Sequence, residues 1–138
     1  MAAEVFVDTN VLLYTIDEDP GSVSKRARAQ ELLFSEDWGW SVQVANEFFV
    51  NATSSKRPFR LAPEAAAALV EEWLNFPTLD FTPALVRSAI ALQIRYQMSY
   101  WDAAILAAAN QMGCHTVFSE DLNDGQKYGG VTVVNPFL

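Results

Sequence analysis

Apolar residues along the chain occur in two patterns that alternate. Short runs rich in β-branched and aromatic residues lie at 4–8 (EVFVD), 38–41 (WGWS), 78–81 (TLDF), 115–118 (HTVF) and 131–134 (VTVV). Each is too short for a stable helix and is read as a strand. Between them lie segments with helical spacing. Residues 11–16 predict a short helix, and 22–35 an amphipathic helix capped by Ser22. Over 42–53, Val44, Ala45, Phe48, Phe49 and Ala52 fall on one helical face. Residues 64–75 predict a helix started by Pro63; Thr82-Pro83 opens another that runs to about Met98. Ser99 caps a last one, 100–112, which stops at Gly113. The stretch 54–63, SSKRPFRLAP, reads as a basic loop.

Strand followed by helix, repeated, predicts βαβ units. The expected class is therefore α/β, with a central, mainly parallel sheet and helices on both faces. No repeat, low-complexity tract or linker divides the sequence, and residues 1–138 are expected to form one domain. In such sheets ligands bind beyond the carboxyl ends of the strands, so the residues that end the strands matter most.

Those ends are acidic. Asp8 closes the first strand, and Ser119, Glu120 and Asp121 follow directly on the strand 115–118, with Asp124 three residues further. Glu47 lies in the first two turns of the helix after WGWS, and Asp102 lies in the first turn of the helix after Ser99. Each acid has an ordinary explanation. Asp8 can cap a helix, Asp102 can complete a capping box with Ser99, Asp121 and Asp124 can serve a polar turn, and Glu47 can be solvated. The combination argues otherwise. Asp8 and Asp102 sit in strongly apolar sequence, where an unpaired carboxylate is costly. The Lys and Arg residues lie elsewhere, at 25–28, 56–60, 87, 95 and 127.

Composition narrows the chemistry. Cys114 and His115 are the single cysteine and histidine. This excludes an internal disulfide, a zinc site of several His and Cys ligands, and a Ser–His or Cys–His nucleophile pair. A lone cysteine fits a reducing compartment, and a cytoplasmic location is expected. No apolar run approaches the ~20 residues of a membrane span. Asp8 and Asn10 interrupt the first apolar stretch, which no basic segment precedes, so no signal peptide is expected. There is no phosphate-binding G-x-x-x-x-G-K-[ST] loop. Oxygen-only ligands point to a hard cation, Mg²⁺ or Mn²⁺, and such a cation enables water to attack a phosphodiester.

The motifs resemble those of a known family. VFVDTNVLLY is similar to the opening of PIN-domain ribonucleases, and SVQVANEFF to their glutamate-bearing second motif. MSYWDAAILAAA and VFSEDLNDG are similar to the third and fourth. Order and spacing match over nearly the whole chain, and the single-domain VapC-type toxins are the nearest group. The resemblance implies a three-layer PIN fold with a sheet of about five strands. It carries acidic roles onto Asp8, Glu47, Asp102 and Asp121, with Asp124 as a further contributor. Asn10 and Ser119 match positions that orient the site. It further implies Mg²⁺- or Mn²⁺-dependent endonucleolytic cleavage of RNA, a cognate antitoxin whose C-terminal segment occupies the substrate groove, and a homodimer. Trp40, Phe48 and Phe49 are candidates for apolar surface beside that groove, with a place in the core as the alternative.

The net charge of −8 requires RNA to be met by local basic patches, because even two divalent cations leave the chain negative. Lys56, Arg57 and Arg60 around Phe59 form one such patch, suited to phosphate contact and base stacking. Lys25, Arg26 and Arg28 form a second, but Glu31 and Glu36 accompany them, as on an ordinary charged helix face. Two other function classes compete with a nuclease. One is a catalytically silent PIN-like module that only binds protein. The other is a phosphoryl-transfer domain, receiver or phosphatase, which also places Asp after the first strand; here the D-x-D phosphatase pattern is missing because residue 10 is Asn.

Overall fold

The computed structural model describes residues 2–138. Six strands form one sheet: β1 (Val5–Val7), β2 (Trp38–Ser41), β3 (Thr78–Leu79), β4 (Thr116–Phe118), β5 (Lys127–Tyr128) and β6 (Val131–Val134). Their order is β3-β2-β1-β4-β6-β5. All pairings are parallel except β5 with β6. Every residue of β1 and β2 is buried, which is why these strands read as continuous apolar runs rather than alternating ones. The strand β5 is an addition to the expected set. With two residues it has no periodicity to read, and it exists because the Gly129-Gly130 turn folds Tyr128 back onto Val131.

Six helices flank the sheet: α1 (Thr9–Tyr14), α2 (Val23–Ser35), α3 (Val42–Ala52), α4 (Pro63–Trp73), α5 (Pro83–Tyr96) and α6 (Tyr100–Gln111). The first starts two residues before its expected position, because Asp8 caps it directly where β1 ends. Ser22 makes no side-chain cap bond to α2; Asp19 instead caps a single 3₁₀ turn, Pro20–Ser22, that leads into it. Thr82, Ser99 and Ser41 do cap α5, α6 and α3, each accepting a backbone N–H through its side-chain oxygen. No helix among the described residues is long and apolar enough to cross a membrane.

Helix α6 is buried from Ala103 through Ala109 and packs against β2, β4 and β6. Its small side chains let the helix approach the sheet closely. Beyond β2 an aromatic cluster fills the space under α3 and α4. Trp73 meets Trp40 at 5.8 Å and Phe48 at 4.8 Å, both edge to face, and Trp38 stacks on Phe76 at 4.6 Å. Trp40 and Phe48 are fully buried in this core and so offer no surface beside a groove; Phe49 is half-buried against it.

One topological feature locates the site. From β1 the chain builds outward through β2 to β3, then returns with β4 to the opposite side of β1. Strand order reverses between β1 and β4, and a crevice opens beyond the carboxyl ends of strands at such a switch point. Asp8 follows β1 and Ser119 follows β4.

Candidate active site

Asp8, Glu47, Asp102 and Asp121 line a single pocket of about 290 Å³, together with Thr9, Asn10, Leu13, Asn51, Trp101 and Ile105. Four elements converge there: the β1–α1 junction, α3, the first turn of α6 and the loop after β4. No Lys or Arg belongs to the lining.

Asp8 is the anchor. It is buried, and its Oδ1 accepts the backbone N–H of Thr9 at 2.8 Å. Its Oδ2 accepts the Ser119 hydroxyl at 2.8 Å. The capping role and the pocket role therefore coexist, one on each oxygen. Burial pushes the Asp8 carboxyl up to about 6; the Ser119 and Thr9 donors oppose the rise, and the charges of Glu47 and Asp121 add to it.

Asn10 ties the site together. Its Nδ2 lies 3.3 Å from Asp8 Oδ2, 3.2 Å from Asp121 Oδ2 and 3.2 Å from Ser119 Oγ. Its Oδ1 accepts the backbone N–H of Glu120 at 2.9 Å. Ser119 Oγ in turn accepts the backbone N–H of Asp121 at 3.1 Å. Both side chains thus fix the loop that carries Asp121 against β1.

Glu47 is held from two sides. The Thr9 hydroxyl donates to its Oε1 at 2.8 Å, and Gln43 Nε2, one turn earlier on α3, reaches its Oε2 at 3.4 Å. The same Nε2 donates to the Trp101 carbonyl at 3.2 Å, linking α3 to α6. Thr9 and Gln43 escaped the sequence reading, although adjacency to Asp8 and the i, i+4 spacing to Glu47 were visible signals.

At Asp102 the capping box is half made. Its backbone N–H donates to Ser99 Oγ at 3.3 Å, while among the described residues no donor bonds its carboxylate, which faces the pocket. Burial raises its pKa, and the charges of Asp121 and Glu47 raise it further.

Asp124 stands apart from this lining. Its Oδ1 accepts the backbone N–H of Asn135 at 2.8 Å, so it serves the turn that joins the loop after β4 to the segment after β6. The basic patch is divided. Arg57 donates to the Leu13 carbonyl at 3.3 Å and lines a depression that shares Asn10 and Leu13 with the acidic pocket. Arg60 faces a different hollow with Thr53, Leu61, Ala62 and Pro63, and Lys56 is exposed. Lys25 is committed elsewhere: its Nζ bonds Glu120 Oε2 at 2.7 Å, and Tyr14 donates to Glu120 Oε1 at 2.7 Å. This triad, which the sequence did not suggest, buttresses the residue beside Asp121.

The donor set fits a hard cation. It is all oxygen, burial and the charges of Glu47 and Asp121 raise the pKa of Asp8 and Asp102, and no Lys or Arg belongs to the lining. Among the described residues, no three His, Cys, Asp or Glu side chains are grouped so as to hold a metal ion by themselves. Mg²⁺ keeps several waters and takes only one or two carboxylates directly, so it does not require such a group.

A family model for the PIN domain matches residues 5–126. No curated protein matches the chain. Several solved structures share its fold. A toxin–antitoxin complex from Klebsiella pneumoniae is 20% identical, covers 96% of this chain and 98% of that one, and superimposes with a TM-score of 0.71. VapC20 from Mycobacterium tuberculosis is 22% identical over 85% of this chain and 91% of its own, with a TM-score of 0.64. DNA-bound VapBC from Salmonella typhimurium is 22% identical over 96% and 97%, with a TM-score of 0.65. With the family model spanning the pocket, the switch point and all four converging acids, the chain belongs to the PIN domain family.

Proposed function

We propose that this protein is a divalent-cation-dependent endoribonuclease and the toxin of a toxin–antitoxin pair. The observation that carries the reading is the convergence of Asp8, Glu47, Asp102 and Asp121 on one pocket whose lining has no cationic side chain. The structural neighbours support the biological setting: one is described as a sarcin–ricin loop cleaving toxin and another as a toxin–antitoxin complex.

Asp8, Glu47, Asp102 and Asp121 would hold the cation between them. When bound, such a cation eases ionisation of water and offsets charge on a phosphodiester. The chain's own residues do the positioning. Ser119 and Asn10 aim Asp8 and Asp121, Thr9 and Gln43 aim Glu47, and the apolar Leu13 and Ile105 lower the polarity of the wall. Mg²⁺ or Mn²⁺ is the expected cofactor and RNA the substrate. A cognate antitoxin would fill the groove, a homodimer is the expected assembly, and the setting is cytoplasmic.

The test is cleavage mapping on total RNA with and without Mn²⁺, with Asp102→Asn as control. Discrete ends that need both Mn²⁺ and Asp102 support the reading. No cleavage by well-folded, Mn²⁺-loaded protein sinks it in favour of a silent binding module.

A further inference from the structure

Three of the four tryptophans are core: Trp38, Trp40 and Trp73 are at most 6% exposed. Trp101 is 58% exposed, yet it lines the acidic pocket. Leaving so large an apolar ring in water forfeits the stabilisation that burying it would give. The fold nevertheless holds it in place. Its carbonyl accepts Gln43 Nε2 at 3.2 Å, and its ring meets Tyr100 at 5.1 Å and Phe81 at 6.4 Å, both edge to face. It is therefore a fixed, half-open aromatic surface rather than a loose side chain.

Its neighbours indicate what it serves. Trp101 and Asp102 line the same pocket, so a phosphodiester held there through a cation would bring its own base or the adjacent one toward this ring. Arg57 lines a neighbouring pocket that shares Asn10 and Leu13 with this one. Aromatic ring and carboxylates in one hollow and a guanidinium in the adjoining one are the kinds of surface that a single strand requires. A volume of about 290 Å³ is at the small end of ligand pockets, which run from roughly 300 to 1,000 Å³.

Building on the nuclease reading, we propose that Trp101 is a substrate-contact residue that stacks on one unpaired nucleobase beside the scissile phosphate. A base already stacked on both faces within a duplex offers no free face to this ring.

Two measurements test this on the full chain with Mn²⁺. In the first, tryptophan emission of the wild type and of Trp101→Phe is compared while adenosine 5′-monophosphate, ribose 5-phosphate or N-acetylarginine amide is added, so that the difference reports Trp101 apart from the three buried tryptophans. Quenching by adenosine 5′-monophosphate alone is expected, since only that probe carries a base. Equal quenching by ribose 5-phosphate, or no quenching by adenosine 5′-monophosphate, overturns the proposal. Quenching by the arginine probe alone assigns the ring to a protein cation instead and also overturns it.

In the second, a mixed-sequence single-stranded RNA is cleaved by Trp101→Leu and Trp101→Phe. The Leu variant should raise KM roughly 5- to 150-fold, the equivalent of one lost base stack, with the Phe variant restoring most of it and both melting as the wild type does. An unchanged KM in the Leu variant, or a loss that Phe fails to rescue, overturns the proposal. If the wild type cleaves no RNA at all, the nuclease reading fails, while the emission experiment still decides whether Trp101 binds a base.

Discussion

Ser119 donates its hydroxyl to Asp8 Oδ2 at 2.8 Å across 111 positions of sequence. Both groups are buried, so this bond opposes the upward push of burial on Asp8. A hydrogen bond to a buried charge contributes about 1.5–3 kcal/mol, equivalent to roughly one to two pKa units. Ser119→Ala should therefore raise the Asp8 pKa of the metal-free protein above about 6, by roughly one to two units. A metal-free Asp8 titration, followed by NMR, that stays in place would show that Ser119 does not tune Asp8.

The raised pKa of Asp8 also makes a stability prediction for the metal-free protein. The folded state holds the proton up to about pH 6, whereas the unfolded chain releases it near 3.8. The contribution is fully present below the unfolded value and is lost as pH rises through about 6. At pH 7.5 the ionised, buried Asp8 should cost the metal-free fold on the order of 3 kcal/mol. Asp8→Asn removes that charge, so its metal-free melting temperature at pH 7.5 should equal or exceed the wild type's, and the gain should vanish near pH 4. Mn²⁺ should stabilise the wild type and leave the Asn variant little changed. A large loss of metal-free stability in Asp8→Asn would make Asp8 a structural cap first.

Arg57 separates from the other two basic residues of its loop because it alone of the three lines the hollow that shares Asn10 and Leu13 with the pocket. Arg57→Ala should flatten the dependence of RNA affinity on salt by ~0.7 in the log–log slope, the value for one phosphate on a single strand. Lys56→Ala and Arg60→Ala should leave the slope unchanged. An equal effect from all three would mean that the whole loop follows the strand.

The pocket's uncompensated charge makes it a receptor for a cationic side chain as well as a metal. An antitoxin segment that inhibits the enzyme should present an Arg toward Asp8, Glu47, Asp102 and Asp121, because a guanidinium can bind carboxylates in a bidentate manner. Metal and antitoxin should then be antagonistic. Titrating a peptide of the antitoxin's C-terminal segment, the apparent Kd should rise with Mn²⁺ well beyond the rise in NaCl of equal ionic strength. A Kd that follows ionic strength alone would make inhibition purely steric.

The sequence by itself determined five of the six strands, the six helices and the acids near their ends. Apolar runs, helical spacing and the Thr82, Ser99 and Pro63 start signals are local, so they read correctly without a fold. Asp8 and Asp121 could be placed on one edge of the sheet because parallel strands end on the same side. The order of strands was beyond local reading. Nothing within β1 or β4 states that the two pair; that follows from how six strands and six helices jointly bury their apolar faces. Yet that pairing alone brings Ser119 to Asp8 and makes the crevice. The remaining differences have the same cause. Asp124 goes to Asn135, Arg57 parts from Arg60, Trp40 and Phe48 sink into the core while Trp101 stays at the rim, and Gln43 spans α3 and α6. Each depends on which distant segment packs beside it, and only the tertiary structure decides that.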